Sequence, residues 1–293
     1  MKKFFLYLFC CLLLPCPADP WQDQVDTFLE TDNWQAAINL LEEQLTSQTS
    51  GSAQCEIYWR MARVTMDRGL TTEKTGATKT ELLGTFQAGT AYADQAIAAD
   101  PHNHLGYYWK AANLGKWSQL KGLFDAFAQV GTLKELLFQA LACKPDHADS
   151  YYVLAQLYAQ LPGFPISYGS IDYAVSQGRY AVWLMEQQLA AGDVGYKNYD
   201  FYLELAKHLH KRNWNAKKRS ANQAKKKKQA SAASHPVEQR FFFEGTIELQ
   251  NCSDREEARQ LVYSVIQELA ALPDLTSGQA ESREKAADLL AKW

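Results

Sequence analysis

The sequence is poor in residues that break a chain. It has 16 Gly and 9 Pro among 293 residues, which speaks against a fold of short strands and tight turns and for long helices. Cysteine is scarce: past residue 18 only Cys55, Cys143 and Cys252 remain, odd in number and far apart. They supply no disulfide framework and no metal pattern. There is no Cys-x-x-Cys, no His-Glu-x-x-His, no glycine-rich phosphate loop and no nucleophile elbow, so metal, nucleotide and hydrolase chemistry have no motif to rest on. No apolar run is long enough to span a bilayer as an anchor; Phe4–Leu14, at eleven residues, falls short.

That run belongs to a leader. Lys2 and Lys3 give it a charged start, Pro15 and Pro17 end it, and Cys16-Pro17-Ala18 offers small residues for cleavage after Ala18. Residues 1–18 therefore read as a signal peptide. Leu13, three before Cys16, makes that cysteine a lipidation site in a second reading. Export as a soluble periplasmic chain and anchoring through Cys16 both stay open, and a membrane is expected as a partner only in the second.

What the chain has in quantity is apolar and aromatic surface. It is 47% hydrophobic, with 8 Trp, 15 Tyr and 13 Phe, enough for a sizeable core. Its net charge of −3 hides an asymmetry. Lys207–Lys228 holds ten Lys or Arg and no acid, so the remainder carries 20 basic against 33 acidic residues, or −13. An acidic globule is a poor nucleic-acid binder, and none is expected as a partner.

One pattern recurs. Tyr151, Leu154, Ala155 and Tyr158 stand at offsets 0, 3, 4 and 7, after Ala140 and Pro145. Tyr58, Tyr107 and Tyr202 open similar stretches, with Ala96 and Pro101 before the second. A small residue, a Pro turn and an aromatic–small helix face make the joint of a tetratricopeptide repeat. The four tyrosines are 49, 44 and 51 residues apart, against about 34 in the usual repeat. The excess falls at Leu70–Lys79, Gly115–Val130 and Leu161–Ser170, which read as loops projecting from one rim. The predicted fold is all-α: a TPR-like α-α superhelix of about five helical hairpins with long intra-repeat insertions. Residues 19–210 carry the repeats. Residues 211–238, rich in Lys, Ala and Ser, read as a flexible insertion. Residues 239–293 form a last repeat and capping helix. There, Arg240–Leu249 is expected as a helix or a short strand, and Ser253-x-x-Glu256 as a capping box.

Candidate sites follow. His102-x-His104, in a turn, and His208-x-His210, on a helix, both read as surface histidines; positions two apart on a helix diverge, so the second pair cannot clamp one metal. The Lys217–Lys228 run suits a solvated loop, acidic lipid headgroups or an acidic partner, or folds back onto the acidic remainder of the same chain. The aromatic rim is the sharpest candidate. Trp117 between Lys116 and Lys121 suits an organic acid or an acidic loop, and Tyr108, Phe124, Phe164 and Tyr168 gather in or beside the insertions. Neither a cofactor nor enzymatic activity is expected.

The chain also resembles a known family. Ala96–Pro101 with Tyr107-Tyr108-Trp109, Asn113-Leu114-Gly115-Lys116-Trp117, Lys134–Tyr158, and the Leu161–Ser170 insertion before a small-faced helix carry the likeness. It runs over roughly Glu56–Leu189. The pattern is similar to the TatT family, the tetratricopeptide-type T components associated with TRAP (tripartite ATP-independent periplasmic) transporters. The resemblance implies an envelope location and a superhelix with a pore or cleft. It also implies docking on a periplasmic solute-binding protein, with an apolar or organic-acid ligand passed between them. A general envelope scaffold without ligand is the alternative, and assembly with further copies of the chain stays open.

Overall fold

The computed structural model describes residues 20–293. The expected signal peptide, with Cys16, lies outside the described residues. Among those residues the regular structure is helical, thirteen α-helices and one short 3-10 turn.

The first eight helices form four hairpins. They are α1 (Pro20–Glu30) with α2 (Trp34–Ser47), α3 (Gly51–Lys74) with α4 (Lys79–Ala99), α5 (His104–Lys121) with α6 (Leu123–Cys143), and α7 (Ala148–Gln160) with α8 (Ile171–Ala191). A fifth pair is made at a distance: α9 (Asp200–Arg212) packs on α12 (Asp254–Ala270), and α13 (Ser277–Lys292) closes the end. Between α9 and α12 the chain inserts α10 (Ala216–Ala232), α11 (Pro236–Arg240) and the 3-10 turn Phe243–Gly245.

Local chemistry sets the helix starts. Ser50, Asn103, Ser170 and Asn215 each accept a hydrogen bond from a first-turn N–H, a contribution of about 1 kcal/mol per cap. The expected Ser253–Glu256 capping box is present, and Thr78–Glu81 and Thr276–Gln279 form two more. The repeat joint is visible atom by atom. The Tyr107 hydroxyl donates to the Pro101 carbonyl at 3.1 Å, and Tyr151 does the same to Pro145 at 3.0 Å. Ala96 and Ala140 before those prolines are fully buried. Gly89 lets α4 and α5 touch, since a Cβ there would sit 2.1 Å from the Asn113 carboxamide oxygen. Asn113, itself buried, donates to the Ala62 carbonyl of α3 at 3.1 Å.

Four expectations are corrected. Leu70–Lys79 is not a loop throughout: α3 continues to Lys74, with the Thr72 hydroxyl bonded back to the Arg68 carbonyl, and only residues 75–78 form the turn into α4. Nor is Gly115–Val130: α5 runs through Gly115 to Lys121 and α6 begins at Leu123, with Gly122, at φ +134°, as the single break. The excess length of these repeats is helix; the Leu161–Ser170 insertion is a loop as expected. Arg240–Leu249 is neither a continuous helix nor a strand. Its 3-10 turn passes so close to α10 that a Cβ on Gly245 would lie 2.3 Å from the Lys227 nitrogen.

The fourth correction concerns the basic run, which forms helix α10 rather than a frayed loop. Arg219 and Lys226, two turns apart, point inward and are 3% exposed each. With Arg179 and Arg212 they meet Asp172, Glu244, Asp254 and Glu257, four cations against four anions. Arg212 lies 2.6 Å from Glu244 and 2.8 Å from Asp254, Lys226 lies 2.5 Å from both Glu244 and Asp172, and Arg219 pairs with Glu257. Burial alone would raise the Glu244 pKa. Arg179, Arg212 and Lys226 outweigh it and hold the carboxyl well below its usual range. Removing one member leaves the others buried and short of a partner, which costs several kcal/mol. We expect Arg212→Ala to lower stability by about 3–5 kcal/mol in urea unfolding. Exposed Lys225→Ala on the same side of the fold should change it by about 0.5 kcal/mol or less.

Candidate functional site

A wide concavity lies against the first helices of three successive hairpins. Each presents a stripe at helical spacing: Trp59, Arg63 and Asp67 from α3; Tyr108, Ala112 and Lys116 from α5; Asp149, Tyr152 and Gln156 from α7. Asp26 of α1 and Tyr196, in the segment after α8, complete the walls of a cavity of about 800 Å³.

Its polar groups are unevenly matched. Arg63 is taken by Asp26 at 2.8 Å and lies 3.8 Å from Asp67. Lys116 is held by Glu73 at 2.7 Å. Asp149 has His147 as its neighbour at 3.8 Å, but burial and the nearby His104 and Lys144 push that imidazole down to about 3, so it is neutral. His104, edge-on to His147 with centroids 4.6 Å apart, is pushed down to about 4 by burial. Asp149 thus lines the cavity with no cation bonded to it, and desolvation raises its carboxyl pKa against the longer-range pull of Arg63. Asp67 is pushed up to about 6, by desolvation first and then by Asp26 and Asp32, against the pull of Arg63. The indole N–H groups of Trp59 and Trp109, both lining the cavity, are buried and find no acceptor among the described residues. Such donors are costly to leave unmatched.

The seven residues singled out from the sequence fall in three places. Tyr108 and Lys116 line the cavity. Trp117, with the Lys121 ammonium 5.2 Å from its ring centroid, lies outside the cavity lining, and Phe124 is 89% exposed at the start of α6. Phe164 and Tyr168 stand on the Leu161–Ser170 loop, with Lys134 at 4.9 Å from the Tyr168 ring. Trp59, Asp67, Asp149, Tyr152 and Tyr196 were not singled out. For those on helices the signal is a polar and aromatic stripe at i, i+3 or i+4, and i+7 or i+8, adjoining the apolar stripe that marks the repeat. The second histidine pair also departs from expectation. His208 is buried, on the same face as Leu205, Leu209 and Arg212, and desolvation pushes it down to about 4. Among the described residues no group of three His, Cys, Asp or Glu is placed to hold a metal ion, and no helix is long and apolar enough to cross a membrane.

Comparison with known proteins supports the architecture. The structure of a thermophilic TPR protein from Thermus thermophilus superposes with a TM-score of 0.56 at 14% identity, over 93% of this chain and 98% of that one. The fold is a TPR-like α-α superhelix. A MamA RS-1 ArsTM double mutant aligns at a TM-score of 0.41 and 14% identity, over 84% of this chain and 94% of that one. The family described as regulator of microtubule dynamics protein 1-3 (RMD1-3) matches residues 21–160, just under half the chain. That stretch spans α1 to α7 and includes the residues that line the cavity except Tyr196 and Asn198. No curated protein matches.

The Asp67 shift has a sign that can be checked. A carboxyl whose folded pKa of about 6 exceeds its unfolded value destabilises the fold above pH 6 when ionised. That cost fades as pH falls toward 4. Relative to Asp67→Asn, the unaltered chain should gain stability between pH 7 and 4.5 in urea unfolding. Identical pH dependence of the two proteins would contradict the assignment.

Proposed function

We propose that the chain is a non-catalytic protein-interaction scaffold whose groove takes an extended segment of a partner carrying a basic side chain. The observation behind this is the charge inventory of the groove: three carboxylates, Asp26, Asp67 and Asp149, against Arg63 and Lys116, each already paired. A lysine or arginine entering it meets Asp149 and the faces of Tyr108, Tyr152 and Tyr196, a setting that favours cations. This reading revises the anionic ligand expected from Lys116, Trp117 and Lys121. Glu73 holds the first, and the other two lie outside the groove.

The resemblance noted from the sequence supplies one concrete partner, the solute-binding subunit of an envelope transporter docking a basic segment here. The matching family's description names another setting, microtubule dynamics; the two differ in partner, with the same groove.

Tryptophan fluorescence offers the test, because Trp59 and Trp109 line the site. A flexible synthetic peptide bearing two lysines should bind, and its glutamate counterpart should not. Asp149→Asn should weaken the lysine peptide about tenfold, in line with loss of one close charge pair. Tighter binding of the glutamate peptide would overturn the proposal. A photo-crosslinker at Gln119 in native envelopes reads partner identity separately, since absence of any solute-binding protein removes that partner and leaves the groove reading intact.

A further inference from the structure

The outer surface carries a second feature that the groove does not use. The Leu161–Ser170 loop holds apolar side chains out into solvent: Phe164 is 93%, Ile166 78% and Tyr168 61% exposed. The loop is braced. The Gly169 N–H donates to the Pro162 carbonyl at 2.9 Å, and that of Ser170 to the Tyr158 carbonyl at 2.9 Å. A Cβ on Gly169 would lie 1.9 Å from the Leu161 carbonyl oxygen, so the loop's two ends are in direct contact. These side chains are therefore presented on a fixed base.

Helix α10 adjoins the loop. Gln229, Ala232 and Ala233 of its last turns share a depression of about 510 Å³ with Tyr168, Lys134 and the exposed Glu238. Along α10, Lys218, Lys225, Gln229 and Ala232 follow at steps of 7, 4 and 3, the spacing of one helical face. Exposed Lys217 and Lys228 flank that face, and the helix contains no acid. The adjoining face, about a quarter turn round the helix through Arg219 and Lys226, is the one locked in the buried ion network. Exposed lysines thus stand along α10, and its C-terminal end shares a depression with Tyr168 of the loop that projects Phe164 and Ile166 into solvent.

We propose that this face binds the surface of an anionic lipid bilayer. Phe164 and Ile166 enter the boundary between headgroups and acyl chains, and Lys218, Lys225 and Lys228 meet the headgroup phosphates. Exposed apolar side chains beside a cationic helix face are what interfacial attachment requires, apolar burial adding to attraction by acidic headgroups. The apolar groups project instead of lining a socket, which suits a fluid surface that closes around them better than a rigid acidic protein. This attachment does not depend on Cys16 or on the groove.

The full chain should be tested by co-sedimentation with phosphatidylcholine vesicles, with and without phosphatidylserine. The leader is the same in every variant, so differences between variants read this face alone. Binding should be about tenfold or more tighter with phosphatidylserine and should weaken with added salt. The pairs Phe164→Ser with Ile166→Ser, and Lys225→Gln with Lys228→Gln, should each lower it about tenfold or more. All four positions are exposed, so helix content by circular dichroism should not change. Equal binding to both vesicle types overturns the proposal, as does binding that neither pair alters. Capture by polyglutamate that is indifferent to Phe164 and Ile166 assigns the face to an acidic protein and overturns it too.

Discussion

The geometry of the superhelix turns on the contact between one tyrosine hydroxyl and the carbonyl of a proline six residues earlier. At Tyr151 and Pro145, and again at Tyr107 and Pro101, that bond ties the start of a hairpin to the turn before it. The proline ends the preceding helix because it cannot continue the backbone ladder. The alanine five residues before it, buried at both joints, lets the neighbouring helices approach closely. Fix the angle of each hairpin to the next, and the first helices α3, α5 and α7 are brought side by side with their second stripes converging. The groove is a by-product of that repeated angle, so its wall residues need no unusual backbone.

Much of the architecture is written in periodicity, and some of it is not. The offsets 0, 3, 4, 7 from Tyr58, Tyr107, Tyr151 and Tyr202 mark the helices that pack, because packing repeats in every copy. The helical extensions beyond Leu70 and Gly115 escape notice because their polar and glycine content resembles a loop. In the structure the threonine hydroxyls bond back to carbonyls of their own helix, and α5 continues through Gly115. The basic run misleads for a related reason. Ten cations without an acid nearby in sequence look solvated, and the carboxylates that bury Arg219 and Lys226 come from Asp172, Glu244, Asp254 and Glu257, up to 54 residues away. Of the site, Tyr108 and Lys116 were legible as polar and aromatic residues beside a joint. Asp149 and Asp67 were not, because a carboxylate on a helix face announces a groove only when another stripe is brought opposite it.

Charge is sorted in space as well as in sequence. The concave side gathers carboxylates with aromatic faces, while the outer flank gathers lysines with projecting apolar groups. The two ligands proposed for these surfaces are of opposite character and would not compete, since each surface repels what the other attracts.

Helix α10 carries both parts of that division on a single cylinder. Lys226 is 4% exposed along its side chain and gripped by Glu244 and Asp172, whereas Lys225, Lys227 and Lys228 beside it stand in solvent. The neighbours differ by one position, about a quarter turn, yet live in different chemical worlds. An amine-directed modification, whether an acyl group or a reactive aldehyde, finds nucleophiles at the outer lysines and none at Lys226. The surface of the helix can therefore be rewritten chemically, charge by charge, while the ion that holds it to the body of the protein goes untouched.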